Sequence, residues 1–290
     1  MEQDQSQGGG GAQEARKERV AEAGRFREAV YRHYRDHGRR FSWRATRDPY
    51  AIVVSELMLQ QTQTERVREK YREFLKRFPD YRSLSQAPLR EVLQLWQGLG
   101  YNRRARYLQQ IAAIVSTRYG GVLPQDPQLL RSLPGIGAAT AGSLMAFVYN
   151  LPVVFIETNI RRAVIEWFFP NREQVSDREL WPILEAALDR RNPRQWYYAL
   201  MDYGAALGRN RRENANRRSR HYTTQTPFEG SCRQRRGQVL RLLTAAERVA
   251  VEQLYRELPE PQELTREALD GLAREGFIVQ EPDGSFRLGS

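Results

Sequence analysis

From Val20 to Glu275 apolar residues recur at helical spacing, and almost nothing alternates with period two until the final stretch. Such a chain can bury its apolar stripes only by packing helix on helix, so an all-α body is expected. Helical stretches fit 20–34, 51–63, 66–78, 89–97, 105–119, 128–132, 138–150, 159–168, 177–190 and 195–204. The end differs. After 238–243, 246–257 and 266–275, which also read as helices, Gly276–Leu288 reads as two short strands around Asp283-Gly284. Helices followed by a hairpin suggest a small winged-helix-like module over 237–290. Residues 1–19 are polar, contain Gly8–Gly11 and are expected to be disordered.

Charge narrows the partners. The 290 residues carry 46 Lys+Arg against 35 Asp+Glu, a net of +11, and all but Lys17, Lys70 and Lys76 of those cations are arginine. Genomic base composition explains such a bias, and so does bidentate phosphate binding. Between Arg209 and Arg241 there are ten arginines and two acids, whereas Leu242–Ser290 holds ten acids and five arginines. A basic belt ahead of an acidic tail points to a polyanion partner for the body and argues against the tail gripping phosphates. The single cysteine, Cys232, excludes a disulfide framework, a multi-thiolate zinc site and a cysteine-ligated iron–sulfur cluster. His33, His37 and His221 have no metal-ligand spacing, so no metal site is expected. No run approaches the ~20 apolar residues of a membrane span and no signal peptide is read at the start, so a cytoplasmic protein with no membrane partner is expected.

Several short segments carry chemistry. Leu133-Pro-Gly-Ile-Gly137 stands between a short helix and the apolar stretch 138–150. Two glycines around an apolar residue make a tight turn, and the helix start it opens would offer amides near Gly135, Ile136 and Gly137 to a phosphate. An ordinary helix–helix turn has the same composition. Glu56 lies in Ala51-Ile-Val-Val-Ser-Glu-Leu-Met-Leu59, where burying an ionised carboxylate is costly. Its pKa is expected to rise, which suits a general acid, or it lies on the polar stripe of a mostly buried helix. Glu157, in Val153-Val-Phe-Ile-Glu-Thr-Asn-Ile160, meets a helix start whose amides and dipole favour the ionised form. It is either a capping acid or an electrostatic stabiliser. Two carboxyls whose pKa values are pushed apart can divide those tasks. Gln61 continues the Glu56 helix, and Gly98-Leu-Gly-Tyr101 precedes Arg103, Arg104 and Arg106, a basic cluster read as DNA-binding. A glutamine and a tyrosine beside arginines either wedge into a base stack or are plain surface residues.

Taken in order, Trp43-Arg44, Asp48-Pro-Tyr50, Ser55–Gln63, Leu95–Tyr101, Arg104-Ala-Arg106, Leu133–Gly137, Thr140-Ala-Gly142 and Met201–Ala205 resemble the helix-hairpin-helix DNA glycosylases, in particular those of MutY type. The motifs span more than half the chain. The resemblance implies a six-helix barrel with the hairpin over 48–154 and a discontinuous helical cluster of 20–47 plus 155–208. It implies that Glu56 protonates a departing purine and that position 157 stabilises the oxocarbenium sugar, directly or through a covalent adduct. Gln61 and Tyr101 would fill the emptied stack, with Trp43, Arg44, Ala139, Asn159 and Tyr198 around the base. The hairpin would hold backbone phosphate with a monovalent cation on its carbonyls, on double-stranded DNA.

This chain departs from the family pattern in six places. Ala139 replaces the Schiff-base lysine of bifunctional relatives, so a monofunctional enzyme without lyase activity is expected. Glu157 is one methylene longer than the usual Asp. Tyr198 stands where the adenine enzymes have Gln or Glu, and Phe41-Ser42 replaces Leu-Pro. The cluster cysteines are absent, with Gly208 at the first position, so no iron–sulfur cluster is expected. The segment 209–236 would pack in its place, with Arg217, Arg218 and Arg220 taking phosphate contacts. An acidic module stands where the family carries its 8-oxoguanine-recognition domain, and it is a candidate surface for a protein partner. The reading is a monomeric base-excision glycosylase, nucleoid-associated if bacterial, with adenine opposite 8-oxoguanine or guanine as its substrate. A glycosylase for another damaged or mismatched base is the second reading, and a catalytically silent DNA-binding protein the third.

Overall fold

The computed structural model describes residues 8–209 and 214–289 of the chain. Helices account for nearly all of its regular structure: α1 (Gly8–His37), α2 (Ser42–Ala45), α3 (Pro49–Leu59), α4 (Thr64–Arg77), α5 (Tyr81–Ser85), α6 (Leu89–Trp96), α7 (Arg103–Arg118), α8 (Pro127–Arg131), α9 (Ala138–Tyr149), α10 (Thr158–Phe168), α11 (Asp177–Ala187), α12 (Pro193–Leu207), α13 (Cys232–Ala245), α14 (Val251–Glu257) and α15 (Gln262–Arg274). A 3-10 turn spans Ala215–Arg218, and the strands β1 (Ile278–Gln280) and β2 (Phe286–Leu288) pair antiparallel with Ile278 opposite Leu288. The all-α expectation holds, and the terminal hairpin forms around Gly284 in the left-handed region, at φ +82.

The chain divides into two compact units: Met1–Phe41, Gln125–Pro127 and Gly137–Thr223 form the first, and Ser42–Pro124, Gln128–Ile136 and Thr224–Ser290 the second. In the first, α1 packs on α11 and α12, and α10 on α12. Phe26 of α1 is fully buried against Trp167, Phe168, Trp196 and Tyr203, with ring centroids 5.3–6.2 Å away. In the second, α3, α4, α6 and α7 enclose Ile52, Leu57, Met58, Phe74, Trp96 and Ile111, all with essentially no exposure.

Three boundaries differ from the sequence reading. Helix α1 starts at Gly8 rather than Val20. Ala23, Phe26 and Val30 anchor it, and extending a formed helix through good helix formers such as Ala12, Glu14 and Lys17 is easy once nucleation has been met. Residues 1–7 of the expected disordered terminus lie outside the described residues. Helix α9, read as part of the barrel, belongs to the first unit. A Cβ on Gly142 would come within 2.5 Å of the Phe155 Cβ, so α9 lies directly on the irregular segment before α10. Residues 42–47 go with the second unit, because Trp43 is buried edge-on against Tyr71 of α4, 5.6 Å between centroids.

The C-terminal module is continuous with the second unit. Arg90 of α6 donates to the carbonyls of Leu243, Thr244 and Ala246 at 2.8–2.9 Å, and Gln97 donates to Thr244 Oγ1 at 2.9 Å. Glu275 joins Arg236 and Arg103, so helices α7 and α13 share one carboxylate with the turn before β1. An isolated bridge between Val249 and Phe286 adds a short third edge to the hairpin. The 209–236 segment does not stay together: 209–223 follows the first unit and the rest the second.

Candidate functional site

Glu157 is the N-cap of α10. Its extended backbone lets Oε1 accept from the amides of Asn159 and Ile160, both at 2.9 Å, while Oε2 accepts from Asn159 Nδ2 at 3.2 Å. Asn159 Oδ1 in turn accepts from Arg162 Nη1 at 2.9 Å, and the same guanidinium donates to Gly204 O and Asn214 Oδ1. A Cβ on Gly204 would lie 2.0 Å from the Asn159 carbonyl oxygen, so only glycine lets α12 approach the start of α10 this closely. The glutamate's extra methylene is thus accommodated in a carboxylate held at both oxygens.

The electrostatics of Glu157 correct the sequence expectation. Burial pushes its carboxyl above the ordinary glutamate range, while the two amides and the charges of Arg162 and Arg161 pull it back without cancelling the rise. A helix start alone would lower it; the missing contribution was tertiary desolvation. Arg162 was not singled out from the sequence, although its i+3 spacing from Asn159 puts the two on one helix face.

Glu56 lies on α3 in the second unit, half-buried, with Ser55, Leu57 and Met58 fully enclosed around it. Just beyond, Gln61 and Tyr101 adopt positive φ values of 54° and 46°, which L residues rarely do without tertiary support. Arg104 supplies that support. Its Nη1 donates to the carbonyls of Leu57, Met58 and Gln60 at 2.7, 2.9 and 2.5 Å. Its Nη2 donates to Thr62 Oγ1 and to the carbonyls of Leu99 and Gly100 at 2.9–3.0 Å. One guanidinium therefore pins the end of α3 to the 98–101 loop, and burial lowers its pKa to about 10, leaving it charged at neutral pH.

Several residues read as DNA contacts are committed elsewhere. Arg104 is buried on the protein's own carbonyls, Arg103 pairs with Glu275, and Arg106 donates to the Glu275 carbonyl at 2.6 Å. Arg218 pairs with Glu166 and donates to the carbonyl oxygens of Phe169 and Pro170, whereas Arg217 and Arg220 are exposed. Trp43 is core. Arg44 is half-buried on α2. Tyr198 is also enclosed, stacked on Phe147 with ring centroids 4.6 Å apart. Ala139 is exposed and lines a cleft of about 800 Å³ with Phe155, Ile156 and Trp181.

Within the hairpin, Gly135 has φ +73 and no room for a side chain, since a Cβ would meet the Tyr107 ring at 2.5 Å. Its carbonyl accepts from Gln60 Nε2 at 3.2 Å, so a cation expected at the hairpin carbonyls would compete with a protein donor. Ile136 is buried, and exposed Gly137 is the N-cap of α9, a position at which it has no side chain to offer. A four-thiolate cluster does not fit this chain, whose only cysteine is Cys232 on α13. The segment after α12 is fastened instead by Asn214, by Asn216 Nδ2 donating to Thr158 O at 3.0 Å, and by a bridge between Val175 and Ser219.

Residues 54–185 match the family described as HhH-GPD superfamily base excision DNA repair protein. An adenine DNA glycosylase of Buchnera aphidicola is 35% identical over 184 residues, covering 63% of this chain and 52% of the relative. One of Mycolicibacterium smegmatis is 32% identical over 274 residues, covering 87% and 92%. A thymine/uracil-DNA glycosylase of Pyrobaculum aerophilum is 33% identical over 172 residues, covering 57% and 74%. The solved structure of a thermostable thymine-DNA glycosylase superposes with TM-score 0.58 at 23% identity, covering 68% of this chain and 95% of that one. The chain spans about half the length of the Buchnera relatives it matches.

Proposed function

The chain belongs to the HhH-GPD superfamily of base excision DNA repair proteins, and on that premise we propose that it is a monofunctional DNA glycosylase acting on adenine opposite 8-oxoguanine or guanine. The observation that carries the reading is Glu157, a carboxylate fixed at both oxygens and backed by Arg162. A fixed negative charge stabilises a developing oxocarbenium ion without reorganisation. Glu56, half-buried on an apolar helix, is the general acid for the purine leaving group. Ala139 leaves no amine to form a Schiff base, so base release is not followed by strand cleavage through that route. Gln61 and Tyr101 fill the stack from which the nucleotide is extruded.

Single-turnover base release on labelled duplexes tests this. Adenine is placed opposite 8-oxoguanine, guanine and cytosine, beside thymine and uracil opposite guanine. Adenine release opposite 8-oxoguanine or guanine is expected, with strand breaks appearing only after alkali. The Pyrobaculum relative supports a second reading, in which thymine or uracil opposite guanine is released instead. Release of those bases alone would replace the first reading with the second.

The raised pKa of Glu157 gives a signed pH dependence. The ionised form is the working one, so the rate should climb as pH rises through a pKa above that of an ordinary glutamate. Arg162→Gln removes a charge that favours ionisation and should move this acid limb to higher pH. A limb that stays in place or moves lower would remove Glu157 from the role. Folding shows the opposite trend. The Glu157 contribution to stability is fully present below the unfolded value and is lost as pH rises through the raised folded one.

Phosphate binding should divide among the arginines. Replacing exposed Arg217 and Arg220 together with Ala should weaken duplex binding and reduce the salt slope by about 1 for each phosphate that is no longer neutralised, at unchanged Tm. Arg218→Ala should instead lower stability by about 0.5–1.5 kcal/mol, because it removes the donor to the partly exposed Phe169 and Pro170 carbonyls, which water then solvates. Binding isotherms across a salt series and thermal melts check both.

A further inference from the structure

Gln61 and Tyr101 do not stand alone in the second unit. Gln225 Nε2 donates to Gln61 Oε1 at 2.9 Å and to the Tyr101 hydroxyl at 2.8 Å. Arg233, in the first turn of α13, donates through Nη1 to the same hydroxyl at 2.6 Å. Its guanidinium lies 5.1 Å from the Tyr101 ring centroid and 5.5 Å from that of Phe228, which is 55% exposed. Arg233 Nη2 also donates to the Thr226 carbonyl at 3.2 Å, closing the 225–233 segment on itself. These residues border a cleft of about 840 Å³ along the 98–101 loop and α13.

We infer that 225–233 is a brace for the two stack-filling residues, with Gln225 and Arg233 as positioning residues that set which base is accepted opposite the extruded nucleotide. This rests on the glycosylase reading and assigns a role to a segment that reading leaves unused. The polarity of the network supplies the reason. A phenol oxygen has two acceptor sites and one proton, and here two donors converge on it. The Tyr101 hydroxyl proton is therefore directed away from the brace, as a donor. Gln61 accepts from Gln225 through its carbonyl oxygen, which leaves its NH₂ group as a donor, and Gln225 keeps its own carbonyl oxygen as an acceptor. A wedge with fixed donors and one fixed acceptor discriminates between base edges, whereas free rotors would not.

The acidic module acquires a task on the same grounds. The exposed face of α15 carries Glu263, Arg266, Glu267, Asp270 and Arg274, which favours no phosphate backbone. Yet Arg90, Gln94 and Gln97 bind the C-terminal end of α13, and Arg235 donates to the carbonyls of Pro259 and Pro261. Helix α6 fixes one end of α13 and the 259–265 segment of the module fixes the other, and α13 carries Arg233 to Tyr101.

The test uses the full chain and the variants Gln225→Ala, Arg233→Met and Arg233→Lys, with two readouts. In the first, duplexes carry 2-aminopurine beside an abasic-site analogue, and fluorescence at saturating protein reports unstacking without any catalysis. In the second, single-turnover release is compared across opposing bases. Gln225→Ala and Arg233→Met should lower the fluorescence rise at least twofold and reduce opposing-base discrimination about tenfold, with Tm unchanged and with Arg233→Lys partly restoring both. Because residues 225–230 are exposed and Arg233 is only half-buried, folding should survive. If Tm does fall, the cycle between Arg233→Met and Tyr101→Leu decides: non-additive effects on unstacking support the brace and additive ones overturn it. Variants that unstack and discriminate as the parent does would also overturn it. A parent that unstacks the duplex but releases no base would refute the glycosylase reading while leaving the brace to be judged by fluorescence alone.

Discussion

Glu56→Gln should reduce single-turnover base release by about 10²–10⁴-fold, the range for removing a positioned general acid, while duplex affinity changes by less than twofold. That corresponds to about 3–5 kcal/mol of lost transition-state stabilisation. The variant is informative because glutamine keeps the shape and hydrogen-bonding reach of the residue and removes only the acidic proton. Glu56 is half-buried between fully enclosed neighbours, so a neutral amide is no harder to accommodate there than a carboxyl group. The measurement pairs the rate on the preferred duplex with a thermal melt and a binding isotherm. Retention of more than a tenth of the parent rate, with binding intact, would assign leaving-group protonation to another donor. Loss of binding together with rate would make Glu56 a structural residue of α3.

The second large effect concerns stability. Arg104→Met should destabilise the protein by about 3–5 kcal/mol, read as a fall in Tm of about 10 °C. Six oxygens from α3, the 60–62 turn and the 98–101 loop converge on the two terminal nitrogens of this guanidinium. Removing it leaves buried carbonyls without donors at the negative end of a helix dipole, and each unsatisfied group costs about 1–3 kcal/mol before relaxation. Arg104→Lys should recover little, because three donors on a single nitrogen cannot span two loops as the planar fork does. Gln61 and Tyr101 are held in left-handed backbone by those loops, so the destabilised protein should also lose duplex unstacking. A melt within 2 °C of the parent would show that the loops hold themselves.

How much of this was legible depended on the kind of interaction. Helical periodicity revealed the all-α body and the terminal hairpin because amphipathic spacing and an Asp-Gly turn are local properties. The ordered motifs carried Glu56, Glu157, Gln61, Tyr101 and the 135–137 turn in the same way. Gly135 was readable too, since two glycines around an apolar residue signal a tight turn, and its φ of +73 lies in the left-handed region; the close Tyr107 ring was not readable.

What the sequence by itself determined was therefore element type and turn chemistry, and it supplied the two acids on which the proposed function rests. Tertiary structure alone decided which arginines remain available, because a cation looks the same in sequence whether it faces solvent or five carbonyls and a hydroxyl. It placed Arg104 in the core, Arg103 on Glu275 and Arg218 on Glu166, and left Arg217 and Arg220 exposed. It also reversed the shift of Glu157, since desolvation depends on every group packed around a carboxyl and a helix start depends only on its neighbours in the chain. The brace of Gln225 and Arg233 on Gln61 and Tyr101 joins residues more than 120 positions apart, a separation across which no local pattern speaks.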